Sequence, residues 1–182
     1  KVSIVDEETG LTIGADFYPK EEAPIKALRP GWAEQNPEDW WEAVCAAVRA
    51  LISDHQIHPD EIAGVGVDGQ SWSAIAIDKD GNVLTNTPIW MDTRAEERIG
   101  REAVFQVCGN PLMPSYTTPK VLWYQKHLPE VYQKADKILQ SNSFIVYRLT
   151  GVISQDKSQG YGWHCFDMRQ KDWDKALCPE MG

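Results

Sequence analysis

The sequence predicts an α/β fold in which a mixed sheet is flanked by helices. Strand-like segments lie on both sides of one strongly amphipathic helical segment, residues 37–53, and further helical segments follow after residue 93. This order of hairpin, helix, strand, hairpin and helices is typical of α/β proteins. The chain has 182 residues, of which 42% are hydrophobic and 25% charged. It is therefore large enough to form one domain with its own core.

The first predicted elements are a hairpin and a capped helix. Residues 2–5 alternate weakly and end in the turn-forming run 6–10, and residues 11–18 have the pattern of the returning strand. Asn36 can cap the following helix, and Pro37 suits its first position. The apolar face of this helix has the 3.6-residue spacing of an amphipathic helix and comprises Trp40, Val44, Ala47, Val48 and Leu51.

Two more predicted strands follow the helix. Residues 63–68 (AGVGVD) predict a buried strand, whose small side chains allow a neighbouring backbone to approach closely. Residues 73–77 predict another strand, and residues 78–82 predict a hairpin turn in which Gly81 adopts a positive φ. The other predicted elements are helices at 93–106, 119–127, 129–134 and 143–149, with Gly151 ending the last of them, and a short strand at 138–139.

Composition and motifs argue against several classes of protein. The sequence has no GxGxxG after a strand and no GxxxxGK[ST] loop, which argues against a doubly wound dinucleotide-binding domain and a phosphate-binding loop. It has no zinc-type spacing of cysteine and histidine, so we predict no metal site. The net charge of −9 argues against binding to nucleic acid or to an anionic membrane surface. Four scattered cysteines fit a reducing cytosol, and no signal peptide or membrane-spanning run is evident. We therefore expect a cytoplasmic protein.

Polar and indole side chains collect between residues 64 and 94, where predicted strands end. The turn after the first of these strands carries Gln70, Ser71 and Trp72, and the third element carries Trp90 and Asp92. In α/β proteins such element ends bind small polar ligands. Indole faces together with amide and carboxylate groups suit a sugar, which has apolar C–H faces and a rim of hydroxyl groups. The sequence therefore predicts a sugar site here.

Each of these side chains also has a structural interpretation. Trp72 and Trp90 could pack in the core beneath the loops. Asp92 could form an ion pair with Arg94 that fixes its loop, and Asp68 could serve as a cap or turn residue. The sequence leaves these alternatives open.

Five segments in a fixed order resemble the N-terminal domain of the FGGY carbohydrate kinases, and within that family the xylulokinases. The resemblance covers essentially the whole chain. The segments are GWAEQNPEDWW, GVDGQSW, PIWMDTRA, YTTPKVLWYQKHLPE, and SNSFIVYRLTG followed by QDKS.

The resemblance implies an actin-like fold of two ribonuclease-H-like domains, of which residues 1–182 are the N-terminal, sugar-binding one. It implies that the pair Ser71-Trp72 departs from the xylulokinase pattern, which usually has Met-His or a similar pair there. This departure bears on which sugar is bound. The residues implied to contact the sugar are Gln70, Ser71, Trp72, Trp90, Asp92, Ser115 and Tyr116.

The implied reaction is the ATP-dependent phosphorylation of a ketopentose, xylulose giving xylulose 5-phosphate. The alternatives are a sister kinase acting on gluconate, ribulose, a polyol or glycerol, or a non-catalytic actin-like sugar-binding module. The resemblance implies no catalytic residue in residues 1–182, since the base is an aspartate of a later Gly-Asp motif. The first strand with its D-x-G-T turn, and the C-terminal domain that binds ATP with Mg²⁺, are likewise expected outside this chain. This chain alone is expected to be inactive, its expected partner is a small sugar, and a homodimer stays open.

Overall fold

The computed structural model describes residues 1–95, 101–111 and 113–180. The helices are α1 (Pro37–Asp54), α2 (Arg101–Cys108), α3 (Thr117–His127), α4 (Pro129–Lys134), α5 (Ser141–Thr150) and α6 (Leu177–Glu180), with 3₁₀ turns at Pro59–Glu61 and Lys157–Gly162. The strands are β1 (Val2–Val5), β2 (Thr12–Asp16), β3 (Glu34–Gln35), β4 (Ile75–Ile77), β5 (Thr87–Pro88), β6 (Lys137–Leu139), β7 (Phe166–Asp167) and β8 (Asp172–Trp173).

The chain divides into two compact units, and the first comprises Lys1–Pro24 and Glu38–Val67. In this unit β1 pairs antiparallel with β2, and Val2 lies opposite Asp16. The predicted hairpin is thus confirmed. Helix α1 extends from Pro37 to Asp54, as the cap signals predicted, and Glu38 and Asp39 place acidic side chains in its first turn. Negative charge there stabilises the positive end of the helix dipole.

The predicted buried strand at residues 63–68 is wrong. Residues 63–68 form no strand in the structure, and Val65 is 70% exposed. A strand needs a neighbour for its backbone hydrogen bonds, and small apolar residues can signal a strand without supplying that neighbour. A groove of about 640 Å³ lies beside this segment, lined by residues 3–7 and 13 of the hairpin and by residues 57, 61–64 and 66.

The second unit comprises Ile25–Pro37 and Asp68–Gly182. In it β4 pairs antiparallel with β6, with Ile75 opposite Leu139, and β3 pairs with β5 and β7 with β8 in the same sense. The α/β class is confirmed, but the ladders among the described residues are antiparallel pairs rather than one mixed sheet.

Most of the later predicted elements are confirmed. Gly81 has a φ of 83° in the turn after β4, and Gly151 has a φ of 72° at the end of α5 and donates its N–H to Tyr147 O. Both α3 and α5 begin two residues before their predicted starts. The predicted helix 93–106 is partly wrong, because residues 93–95 are not helical; α2 lies at Arg101–Cys108, and residues 96–100 are outside the described part of the chain.

The core of the second unit joins β4 to α3. Ala74, Ala76 and Ala95 are buried against Trp123 and Tyr124. The small side chains of these alanines leave room for the two large aromatic side chains of α3. Among the described residues, no helix is long and apolar enough to span a lipid bilayer.

Candidate functional site

The loop formed by residues 70–72 rests against the N-terminus of α5. Ser141 Oγ donates to Gln70 O at 2.6 Å, and the Gln70 side-chain amide lies 3.5 Å from Gln35 Oε1. Gly69 is required for this approach, because a Cβ there would lie 2.4 Å from Ser141 Oγ. The three loop side chains are half-buried, so part of each remains accessible to a ligand.

Trp72 adopts a left-handed backbone conformation with a φ of 66°. This region is uncommon for residues other than glycine and persists where surrounding contacts impose it. Here the contacts are two hydrogen bonds: the Trp72 N–H donates to Gln140 Oε1 at 3.2 Å, and Lys120 Nζ donates to Trp72 O at 2.8 Å. The backbone at the turn is therefore fixed from both sides.

Four rings pack together in what we call the aromatic cluster: Trp72, Tyr116, Tyr161 and His164, the last of which packs against Tyr116. The Trp72 indole lies edge-on to Tyr116 at 4.5 Å and to Tyr161 at 6.0 Å between ring centroids. The Tyr161 hydroxyl donates to Ser71 Oγ at 3.2 Å. Edge-to-face packing of this kind stabilises aromatic pairs beyond the area they bury. The cluster thus holds the side chains of both Ser71 and Trp72.

Burial shifts the titration of two members of the aromatic cluster. It raises the pKa of Tyr116, and the nearby Tyr161 and Cys108 raise that pKa further. Burial lowers the pKa of His164 to about 4, which the contact of its ring with Pro111 O only partly offsets. His164 is fully buried. Both side chains are therefore uncharged near neutral pH.

The second loop, residues 89–92, is fixed by a buried ion-pair network. The Asp92 carboxylate is 0% exposed, accepts from the Ala33 N–H at 2.6 Å and pairs with Arg94 Nη2 at 2.7 Å. Arg94 also pairs with Glu34 at 2.9 Å and lies 3.8 Å from the centre of the Trp32 ring. The structure therefore supports the loop-fixing interpretation of Asp92.

Trp90 presents its side chain to solvent on this second loop. It is 49% exposed, and Met91 beside it is 41% exposed. An exposed indole on a firmly held loop offers a face against which the C–H surface of a sugar can pack. The alternative that Trp90 closes the core under its loop does not fit this exposure.

The structure brings together four of the predicted site residues: Gln70, Ser71, Trp72 and Tyr116. Ser115 is half-buried just before α3. Whether these residues, Trp90 and Asp92 contact a sugar stays a prediction. The described residues include no group of three or more acidic, histidine or cysteine side chains that could hold a metal ion.

Sequence reasoning missed four residues that hold the two loops: Lys120, Gln140, Ser141 and Tyr161. One local signal existed for the last of them, because Tyr161 is flanked by two glycines. A Cβ at Gly162 would lie 2.9 Å from Trp72 Cδ1, so the glycine marks a close approach to the aromatic cluster. For the others no local signal existed.

The family follows from comparison with known proteins. Residues 1–182 match the model of the N-terminal domain of the FGGY family of carbohydrate kinases. The chain belongs to the FGGY family. Its predicted actin-like fold is also confirmed, because the crystal structure of a xyloylose kinase from Brucella ovis matches at a TM-score of 0.88 and 28% identity, over 99% of this chain and 37% of that one.

Two curated FGGY relatives have different substrates in their names. A xylulose kinase of Escherichia coli (strain K12) is 31% identical over 97% of this chain and 36% of that protein. A glycerol kinase of Thermococcus gammatolerans is 32% identical over 98% of this chain and 38% of that protein. This chain therefore spans little more than a third of these relatives.

Proposed function

We propose that the full-length protein is an ATP-dependent carbohydrate kinase of the cytoplasm, with a ketopentose as substrate and xylulose as the first candidate. The observation that carries this proposal is the pair of firmly held loops, one with half-buried polar groups at Gln70 and Ser71, the other with the exposed indole of Trp90. The similarity to xylulose kinases supports the choice of sugar. The product would be xylulose 5-phosphate.

In this proposal the residues of this chain bind and orient the sugar. The Gln70 amide and Ser71 hydroxyl would hydrogen-bond to sugar hydroxyls, while the Trp90 indole packs against C–H groups. Ser115 and Tyr116 would line the same site. Asp92 would act through its loop, since Arg94 and the Ala33 N–H occupy its carboxylate.

Residues 1–182 are then the N-terminal, sugar-binding domain of a longer protein. The domain that binds ATP with Mg²⁺, the aspartate that accepts the hydroxyl proton and an opening strand would belong to other parts of it. The short coverage of the relatives supports this division. Phosphoryl transfer depends largely on positioning, to which such a domain contributes.

Two alternatives differ in class. A sister kinase acting on glycerol, gluconate, ribulose or a polyol is favoured by the glycerol kinase relative and by Ser71-Trp72, where xylulokinases usually have another pair. A sugar-binding module that transfers no phosphate is the other alternative.

A substrate panel on the full-length protein tests the proposal. With ATP and Mg²⁺ present, we expect the highest kcat/KM for xylulose among xylulose, ribulose, gluconate, erythritol and glycerol. Since kcat/KM reports transition-state binding, its ranking identifies the substrate. A higher kcat/KM for another sugar or polyol would make that compound the substrate in place of xylulose, and the protein would still be a carbohydrate kinase. If the protein binds sugar but forms no ADP from ATP with any compound of the panel, the result would support the alternative of a sugar-binding module that transfers no phosphate.

A further inference from the structure

Lys120 is a fully buried lysine placed between the two loops of the site. Lys120 belongs to α3 and is 0% exposed. Its Nζ donates to Trp72 O and to Ile89 O, each at 2.8 Å. The first carbonyl belongs to the 70–72 loop and the second immediately precedes Trp90. One ammonium group therefore joins the backbones of both loops.

The same face of α3 carries two further donors to the segment after Trp72. Thr117 Oγ1 donates to Ser73 O at 3.4 Å, and Tyr124 OH donates to Ala74 O at 2.9 Å. Thr117, Lys120 and Tyr124 follow one another at spacings of three and four residues, which places them on one side of a helix. Tyr124 also forms a hydrogen bond with the Thr87 side chain. Of the three side chains, Lys120 donates to the backbone of the 89–92 loop as well, at Ile89 O.

A lysine is a costly choice for a buried position that needs only packing. Burying an ammonium group carries a large desolvation cost, which two carbonyl oxygens and a nearby carboxylate only partly offset. Burial lowers the pKa of Lys120 to about 7, with Asp92 opposing that shift and Arg94 adding to it. An apolar side chain would fill the space without this cost, but it would leave two buried carbonyl groups without this donor.

We propose that Lys120 is a positioning residue that sets the spacing between the 70–72 and 89–92 loops and thereby the affinity for the sugar. This inference rests on the proposed function. Gln70 and Trp90 can engage opposite sides of one sugar only if their loops keep a fixed separation. Small displacements of binding groups have large effects, since a shift of about 1 Å can cost roughly a hundredfold in rate.

The test compares Lys120→Met with Tyr124→Phe in the full-length protein. Each substitution removes a donor from α3 to the same backbone segment, but only the first also removes a donor to the backbone of the 89–92 loop. For Lys120→Met we expect the KM for the sugar to rise roughly tenfold or more, while the KM for ATP stays within about twofold. For Tyr124→Phe we expect a lower melting temperature and a sugar KM within about twofold of wild type. Lys126→Met, at an exposed position of the same helix, controls for loss of a positive charge.

The outcomes separate this inference from the proposed function. The role of Lys120 would be overturned if the sugar KM changed equally in Lys120→Met and Tyr124→Phe, or if it did not change in Lys120→Met. Phosphorylation of a sugar by the wild-type protein would still support the proposed kinase. A wild-type protein that phosphorylates no sugar of the panel would overturn the proposed function instead. If Lys120→Met does not fold, Lys120→Gln is measured in its place. Its amide is neutral and one bond shorter than the lysine side chain, so we expect it not to reach both carbonyl groups, and the same two results for sugar KM overturn the role.

Discussion

Replacing Arg94 by methionine is expected to destabilise the protein by roughly 3–5 kcal/mol, the usual cost of removing one partner from a buried ion pair. The Arg94 side chain is 4% exposed and is paired with Asp92 at 0% and Glu34 at 11% exposure. Methionine would retain much of the packing against Trp32 but leave two carboxylates in a buried environment without their cation. Urea denaturation of the wild-type and variant proteins measures the difference.

An exposed ion pair of the same chain provides the matched control. Lys137 and Asp136 also lie 2.7 Å apart, but their side chains are 49% and 47% exposed. Lys137→Met is expected to change stability by at most about 1 kcal/mol, because solvent screens exposed pairs. If Arg94→Met had as small an effect as Lys137→Met, the buried network would not be what holds the 89–92 loop.

Stability is expected to fall as the pH decreases from about 6.5 to about 4, because of His164. Its folded-state pKa is lowered to about 4, whereas the ordinary value is 6.5. Between these values the unfolded chain binds a proton that the folded chain does not, so stability is fully present above pH 6.5 and declines below it. One pKa unit corresponds to about 1.36 kcal/mol, so the decline amounts to roughly 3 kcal/mol at most.

Denaturation curves at intervals between pH 4 and 7 measure this slope. His164→Phe should flatten it, since the ring that must stay uncharged within the aromatic cluster is gone. His55→Asn, at an exposed position, should leave it unchanged. Asp78, Asp156 and other carboxylates whose pKa is lowered by hydrogen bonds act mainly below about pH 4, outside this window. A slope that survives in His164→Phe would contradict the assignment.

The elements that could be predicted from the sequence are those set by neighbouring residues. Asn36 and Pro37 mark the start of α1, and Gly81 and Gly151 occupy the positive-φ positions of their turn and helix end. Their signals are local, because capping and positive φ involve residues a few positions apart. The segment 63–68 has a strand-like composition, but a strand also depends on a partner elsewhere in the chain.

The candidate residues of the 70–72 loop could be named from the sequence, but the side chains that hold this loop could not. Gln70, Ser71 and Trp72 stand together in a recognisable motif. Lys120, in contrast, reaches Trp72 across 48 residues, and Tyr161 reaches Ser71 across 90. Contacts over such separations follow from the tertiary fold, and one sequence alone carries little trace of them.

The position of a bound sugar is the measurement that decides whether these two loops form the site. A crystal structure of the full-length protein with xylulose should place a sugar hydroxyl within about 3.2 Å of the Gln70 amide or the Ser71 hydroxyl. The same structure should have a C–H face of the sugar packed against Trp90. A sugar bound elsewhere, with residues 70–72 and Trp90 free of contact, would contradict the proposed site.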